Sequence, residues 1–318
     1  MTRSDEAGDA PEVSVVVPTR DRSERVRVVL DALAGQTLAR DRFEVVVVDD
    51  GSAAPLAPSG ADKLLKHDSP RGPAAARNTG WRAARAPLVA FTDDDCRPEP
   101  GWLEAGLRTH RTSPGSIVQG RTRPEPADEP ILDRPHSRSI RVDSLGPFFQ
   151  TCNVFYPREL LERVGGFDER IPTPSSEDAD LALRALASGA GAMFAEDALV
   201  NHEVVVRSLA EAVRFSTRWR TLPALVARHP EIRPAFTWHG WVWRETHARL
   251  LMALAGIALA RVHRAFLVWC VPYVTFRRGW RPSALRRALA ELPGLAAVDA
   301  AEVLVLAGAS ARERTLLL

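Results

Sequence analysis

A chain of 318 residues with 45% hydrophobic content has enough apolar surface for one large α/β core, or such a core with a helical appendage, which excludes disorder as the default state. Its three cysteines, Cys96, Cys152 and Cys270, stand far apart and show no CxxC or Cys/His spacing, so a disulfide framework and a zinc site are both poor readings. The net charge of +2 hides an asymmetry: through His202 the chain carries 25 Lys+Arg against 32 Asp+Glu, net −7, and beyond it 17 against 8, net +9.

Residues 1–12 are polar and small, with no basic flank leading into an apolar run; they read as a flexible leader and not a signal peptide, so a cytoplasmic chain is expected. Val13 to Val17 is a Val-rich run ending at Pro18, followed by Asp21 and a helix-like stretch from Arg25 to Ala34. A second run, Glu44 to Val48, ends in Asp49-Asp50-Gly51-Ser52. Two β-branched strands separated by a helix describe a βαβ unit, whose parallel sheet is buried on both faces and binds ligands at the carboxyl ends of its strands.

A Pro/Ser/Gly-rich loop, Ala54 to Gly60, leads to a helix through Ala74 to Arg85 and a third strand, Leu88 to Thr92, which runs into Asp93-Asp94-Asp95. Residues from Arg121 to Arg138 are rich in Pro and charge and read as a long loop or flap. Leu160 to Val164 reads as a helix stopped by Gly165-Gly166, Ser175 or Ser176 can cap a helix from Glu177 to Leu186, and Ala198 to Val200 reads as the last strand.

After Val206 the pattern is helical, with apolar runs at Leu250 to Ala260 and Ala265 to Phe276. Each is shorter than the roughly 20 apolar residues a bilayer span needs, and joining them would bury Arg261, His263 and Arg264. Two readings fit: interfacial helices in peripheral membrane contact through residues 245–276, or a helical bundle packed on the rest of the chain. The basic charge there suits nucleic acid or an anionic membrane, and the interleaved apolar runs favour the membrane, so no nucleic-acid partner is expected.

Three adjacent carboxylates at a strand end repel one another unless a cation screens them, and hard oxygen ligands suit Mg²⁺ or Mn²⁺ bridging to phosphate. DDGS alone is also an ordinary turn, and acids opening a helix at Glu177 complement its dipole without any chemistry. No GxGxxG follows the first strand, where Pro18-Thr19-Arg20-Asp21 stands instead, which disfavours a nicotinamide enzyme.

The order VSVVVPTRD, EVVVVDDGS, RGPAAARNTGWRAA, VAFTDDDCRPEPGWL, then TCNVFYPRELLERVGGFDER and SSEDADLALRALASG, resembles a family 2 glycosyltransferase of the GT-A fold over about Val13 to His202. The resemblance implies a GT-A α/β domain over residues 13–206, with a mostly parallel central sheet, followed by an α-helical region over 207–318. It implies an inverting, metal-assisted transfer of a sugar from a nucleoside-diphosphate sugar, UDP-sugar favoured, to a hydroxyl of a glycan or lipid-linked glycan at the inner face of the membrane.

Residue by residue, it implies that Pro18, Thr19 and Asp21 line the nucleotide pocket and that Asp49 faces the base; the Asp49-Asp50 pair at this strand end is itself suited to accept hydrogen bonds from a base or ribose. Arg77 and Asn78 would border that pocket. Asp93 and Asp95 match the DxD positions around Asp94, with Asp95 and His202 near the metal. Asp178 matches the general base, with Glu177 orienting it. Asn153, Gly166 and Trp102 are expected near the acceptor. A nucleotidyltransferase is disfavoured because PTRDR lacks a glycine-rich, lysine-containing signature. A non-catalytic sugar-nucleotide or glycan-binding module and a membrane scaffold are the readings from other classes.

Overall fold

The computed structural model describes residues 10–56, 59–171, 175–276 and 282–318, so most of the expected leader lies outside the described residues. These residues form two compact units: one takes the chain up to Leu132 together with Ser139–Val204, the other takes Asp133–Arg138 and Val205–Leu318.

In the first unit, β1 (Val13–Thr19) and β2 (Phe43–Asp49) are buried along nearly their whole length, as unbroken Val runs require when both faces are covered. Between them α1 (Ser23–Ala34) buries Val26, Val29, Leu30 and Leu33, one face of a 3.6-residue period. β3 (Lys63–Lys66) is a half-exposed edge strand carrying lysines, a common protection for an edge. Then follow α2 (Pro73–Ala83), β4 (Leu88–Phe91), β5 (Cys96–Pro98), α3 (Trp102–Thr112) and β6 (Ile117–Pro124). Beyond β7 (Ser137–Arg138) come β8 (Val154–Pro157), α4 (Arg158–Val164), α5 (Glu177–Ala187) and β9 (Ala192–His202).

The sheet order is β3-β2-β1-β4-β8-β6-β9-β5. Four of the seven pairings are parallel and three, all involving β8 or β5, are antiparallel. β1 pairs with β2 on one side and β4 on the other, both parallel, so the chain switches direction at β1 and leaves a crevice at the carboxyl ends of β1 and β4. Thr19 is in register with Asp49 there, and Asp93 to Asp95 follow β4 on the same edge. The far side is set by β5 and β9, whose pairing puts Cys96 opposite His202.

Two sequence expectations need correction. The stretch from Arg121 to Arg138 is not one loop: it begins as the end of β6, where Arg121 to Pro124 pair with Leu199 to His202, and contains a 3₁₀ turn, Pro126–Ile131. Its Pro and charge content masked a strand whose polar side chains are accommodated by a parallel neighbour. The last strand is also far longer than Ala198 to Val200, and β3, β5 and β8 were too short to register as periodic segments.

The second unit pairs β7 with β10 (Val205–Val206) and continues through α6 (Leu209–Phe215), a 3₁₀ turn Ser216–Thr221, α7 (Leu222–Arg228) and α8 (Arg233–Phe236). Ser208 and Glu211 form a capping box at the start of α6. α9 (Glu245–Leu259) and the 3₁₀ segment Arg264–Cys270 hold the two expected apolar runs, followed by α10 (Val271–Thr275) and α11 (Pro282–Glu313). By length and composition the Leu289–Glu313 part of α11 is enough to cross a membrane, a feature the sequence reading passed over. Its Asp299 and Glu302 are buried against Tyr273 and His247, which seats that face on neighbouring helices.

α2 packs on the sheet through Gly80, where an added Cβ would lie 2.3 Å from Val16 Cγ1 and 3.2 Å from Val48 Cγ2. Both neighbours are β-branched with stiff χ1, so neither swings away easily. Gly80→Ala gains about 1 kcal/mol of helix propensity but overpacks at a cost of about 1–3 kcal/mol. The expected net effect is a lower midpoint in thermal or denaturant unfolding; a raised midpoint would show that α2 can lift off β1.

Candidate active site

Acids and amides from six loops meet at the carboxyl edge of the sheet, and hydrogen-bond accounting separates those held by the protein from those left available. On β1, Thr19 donates to Asp94 Oδ2 at 2.8 Å, and Arg22 Nη1 reaches Asp94 Oδ1 at 2.8 Å. Burial pushes the Asp94 carboxyl up to about 6, against the pull of Arg22 and with Asp95 adding to it. Asp94 thus ties the β1 loop to the β4 loop. Arg22 carried no sequence signal. Asp21, in the left-handed region at φ 54°, accepts from Ala53 N and donates its own amide to Ser52 Oγ, each at 2.8 Å, joining the β1 and β2 loops. Pro18 is half-buried and in register with Val48 beside them.

Asp49 and Asp50 part company. Asp49 Oδ1 accepts from Ser52 N at 2.8 Å, while its buried Oδ2 has no hydrogen-bond donor and only the Lys66 ammonium at 3.9 Å. A buried acceptor left this way costs about 1–3 kcal/mol, and a ligand N–H would remove that cost. Asp50 accepts from His67 Nδ1 at 2.7 Å and from the amides of Arg71 and Gly72 at 2.8 Å. Asp50, expected with Asp49 to accept from a base or ribose, instead clamps the loop preceding α2.

Asn78 is also consumed internally. Its amide donates to Phe167 O and Glu169 Oε1 and its oxygen accepts from Trp81 Nε1 and Phe167 N, all at 2.9 Å. A side chain with all four positions filled and 1% exposure does not border a pocket. Gly166 belongs to the same lock: at φ +71° its missing Cβ would lie 2.5 Å from Asn78 Oδ1. The glycine makes room for α2, where an acceptor contact was expected.

Asn153 and Trp102, the other expected acceptor contacts, are both fully buried. Trp102 Nε1 donates to Asn153 Oδ1 at 2.8 Å, and the Asn153 amide donates to Arg121 O at 2.7 Å and Ala198 O at 2.8 Å, stitching α3, β6 and β9 together. These side chains brace the sheet beneath the site.

Arg77, 4% exposed at its side chain, bridges Asp93 Oδ1 at 2.7 Å and Glu177 Oε1 at 3.1 Å. Burial opposes its charge, but Asp93, Glu177 and Asp178 together raise its pKa above the ordinary value. The second oxygen of Glu177 accepts from the amides of Ser175 at 2.8 Å and Ser176 at 3.1 Å, so the carboxylate, and not a serine hydroxyl, caps the start of α5. Asp178, the next residue, is partly exposed and has a long 3.4 Å contact from Thr151 N. Burial and then Glu177 push its carboxyl up to about 7, against Arg77. The buried Tyr156 hydroxyl, raised by burial and by Asp178, completes that wall, a neighbour no sequence motif announced.

Across the edge, Asp95 and His202 meet. Asp95 O accepts from Glu203 N at 2.9 Å, which extends the β5–β9 pairing by one step. His202 Nδ1 lies 2.8 Å from Glu203 O, an acceptor, so Nδ1 carries the proton. The other ring nitrogen, Nε2, faces Asp95 Oδ1, 3.5 Å away. A carboxylate oxygen and an imidazole nitrogen this close are ligand atoms of the kind Mn²⁺ or Mg²⁺ takes. The Cys96 thiol stands beside them, its pKa pushed up by burial. Asp93, expected with this pair, is not in the cluster; its carboxylate is engaged by Arg77.

With this geometry in view, the comparisons with known proteins are consistent. Residues 14–167 match the model of glycosyl transferase family 2, and residues 91–279 that of glycosyl transferase family group 2. The chain is 31% identical over 238 residues to the pre-mycofactocin glycosyltransferase of Mycobacterium tuberculosis H37Rv, covering 69% of this chain and 48% of that protein. It is 29% identical over 269 residues to the validoxylamine A glucosyltransferase of Streptomyces hygroscopicus subsp. jinggangensis, covering 72% of this chain and 63% of that one. The chain therefore spans about half to two thirds of the length of these relatives. Among solved structures, the mannosyltransferase PcManGT of Pyrobaculum calidifontis, in complex with GDP-Man and Mn²⁺, superposes with a TM-score of 0.57 at 22% identity over 94% of this chain and 87% of that one. That likeness speaks to the fold alone. Together the family models and the strand order identify the chain as a member of the family 2 glycosyltransferases with the GT-A fold.

Proposed function

We propose that the protein transfers one sugar from a nucleoside-diphosphate sugar to a hydroxyl acceptor with inversion, using Asp178 as general base. The observation that carries this reading is the division among the carboxylates at the sheet edge. Asp50, Asp93, Asp94 and Glu177 are each held by a cation or by two or more donors, whereas among the described residues Asp178 has only a long amide contact, together with a raised pKa. A base poised near neutral pH and not committed to a partner suits the removal of a hydroxyl proton.

In the transfer, the acceptor oxygen forms its bond to the anomeric carbon from one face and loses its proton to Asp178. The bond to the diphosphate oxygen breaks on the other face, and its electron pair leaves with the diphosphate. Glu177, fixed by Arg77 and two amides, holds the start of α5 and so the position of Asp178. Asp49, with an unsatisfied buried oxygen, is suited to accept from the ring N–H of a base; the preference for uracil rests on the family resemblance alone. Thr19, Asp21 and Pro18 would line the same crevice. Asp95 and His202 would hold a Mn²⁺ or Mg²⁺, which when bound neutralises charge on the departing diphosphate.

The acceptor we infer is a glycan or lipid-linked glycan at the inner membrane face. Support comes from the second unit, where Leu254, Ile257, Val262, Leu267 and Val268 are exposed, Val262 at 80%, next to Arg261, His263 and Arg264. Apolar side chains beside cations match an anionic lipid interface. PcManGT, solved with GDP-Man, and the similarly folded S. aureus TarS, solved with UDP, support a nucleotide-linked donor without choosing the base.

Three measurements test this reading. Calorimetry with UDP, GDP and dTDP, each with Mn²⁺ and with EDTA, is expected to give metal-dependent binding of one nucleotide that Asp95→Ala loses; no binding of any would remove the donor site. Asp178→Asn is expected to keep nucleotide binding and lose transfer by roughly 10²-fold or more, and near-normal turnover would take Asp178 out of the mechanism. Because the carboxyl titrates near 7 and acts only when ionised, transfer should fall on the acid side with a limb near pH 7; a limb near 4 would mean that the working base is a different, well-solvated carboxylate.

A further inference from the structure

The start of α1 is tied twice to the edge that carries Asp95 and His202. Arg22, at the end of the β1 loop, donates from Nη1 to Asp94 Oδ1 at 2.8 Å. Three positions on, Arg25 Nη2 donates to Glu203 Oε1 at 2.8 Å, and Glu203 in turn gives its amide to Asp95 O at 2.9 Å. Both arginines reach into the acids around the Asp95–His202 pair, but their donors are spent differently. Arg25 lies against both carboxylate oxygens of Glu203. Arg22 spends one nitrogen on a carboxylate that Thr19 also serves, and among the described residues its Nε and Nη2 have no partner.

Holding Asp94 does not account for that surplus. A guanidinium offers its N–H groups in a rigid, planar fork, and one of them suffices for the bond to Asp94 Oδ1. The Arg22 side chain is 48% exposed at the carboxyl edge of the sheet, so the unused donors are open to a ligand there. Burial works against its charge, and Asp94, Asp95 and Glu203 more than offset this and raise its pKa. Such a fork matches phosphate oxygens two at a time. An ion held by Asp95 and His202 and a guanidinium beside it make two adjacent anchors. A diphosphate offers a phosphoryl group to each, and a monophosphate serves only one.

We propose that Arg22 is a donor-recognition residue whose guanidinium binds the diphosphate of the nucleotide-linked donor directly and selects diphosphate over monophosphate. The inference rests on the donor reading given above and deepens it by one residue and one specificity. In this arrangement Asp94 aims the fork, Thr19 fixes Asp94, and the face of Arg22 not used by Asp94 meets the ligand.

Calorimetry on the full chain with Mn²⁺ tests this, with UDP against UMP and GDP against GMP as the probes. The wild-type chain is expected to bind one diphosphate more tightly than its monophosphate. Arg22→Gln should weaken the diphosphate about tenfold or more, the scale of a lost hydrogen bond to a charged group, and leave the monophosphate nearly unchanged. Arg22→Lys, which keeps the charge without the fork, should recover part of the loss. Arg27→Gln removes the same charge from an exposed position of α1, where the arginine pairs with Glu24 and Asp31, and should change neither. Asp94→Asn separates recognition from support, since it takes away the partner and leaves the fork; the preference for diphosphate should survive it. If Asp94→Asn erases that preference as Arg22→Gln does, or if Arg22→Gln weakens mono- and diphosphate alike, Arg22 only braces the β1 loop and the inference fails. Diphosphate binding that Asp95→Ala loses and Arg22→Gln keeps in full would also overturn it, with the donor site intact. No nucleotide binding by the wild-type chain would remove the donor reading and this inference together.

Discussion

The site depends on one buried cation. Arg77 rises from α2 between the acid that ends β4 and the acid that opens α5, and it pairs with both where water does not screen them. Removing one partner from a buried pair typically costs about 3–5 kcal/mol, because a charge is left without compensation. Asp93 and Glu177 therefore hold each other's loops in place through Arg77. α2 itself is seated by Gly80 against Val16 and locked to the Gly166 turn by Asn78.

That constraint determines how the remaining acids behave. Charges that could scatter over a flexible loop are instead divided: Asp93 and Glu177 to Arg77, Asp94 to Thr19 and Arg22, Asp50 to backbone amides. Asp178 sits next to Glu177 on a fixed helix start, where burial and then that neighbouring carboxylate raise its carboxyl above the ordinary range. Asp95 is held by β5–β9 pairing in front of His202, whose tautomer is set by the Glu203 carbonyl. A reactive edge is thus built from side chains whose own freedom has been removed, the arrangement that preorganised catalysis requires.

The helical unit follows a different logic. Its core joins Leu250, Ala253 and Tyr273 to Leu292, Ala296 and Ala300 of α11, while a polar network around Glu302 and an arginine cluster around Trp219 occupy its interior flank. Its exposed apolar residues Leu254, Ile257, Val262, Leu267 and Val268 share a stretch with Arg261, His263 and Arg264, consistent with the +9 charge beyond His202.

The sequence by itself determined the elements whose side chains answer to local physics. Val runs buried on both faces marked β1 and β2, apolar spacing marked α1, and acids after strand ends marked the ligand edge. The resemblance carried by its motifs placed the family and the order of the parts. Tertiary structure alone decided which polar residues remain available. Asn78 looked like a pocket residue until Phe167, 89 positions on, filled its hydrogen bonds, and Asn153 and Trp102 looked like acceptor contacts until they were found bonded to each other. Asp93 looked like a metal ligand beside Asp95 until Arg77 engaged it. A carboxylate's availability depends on donors that the fold brings from far along the chain, and a motif records the residue without its partners.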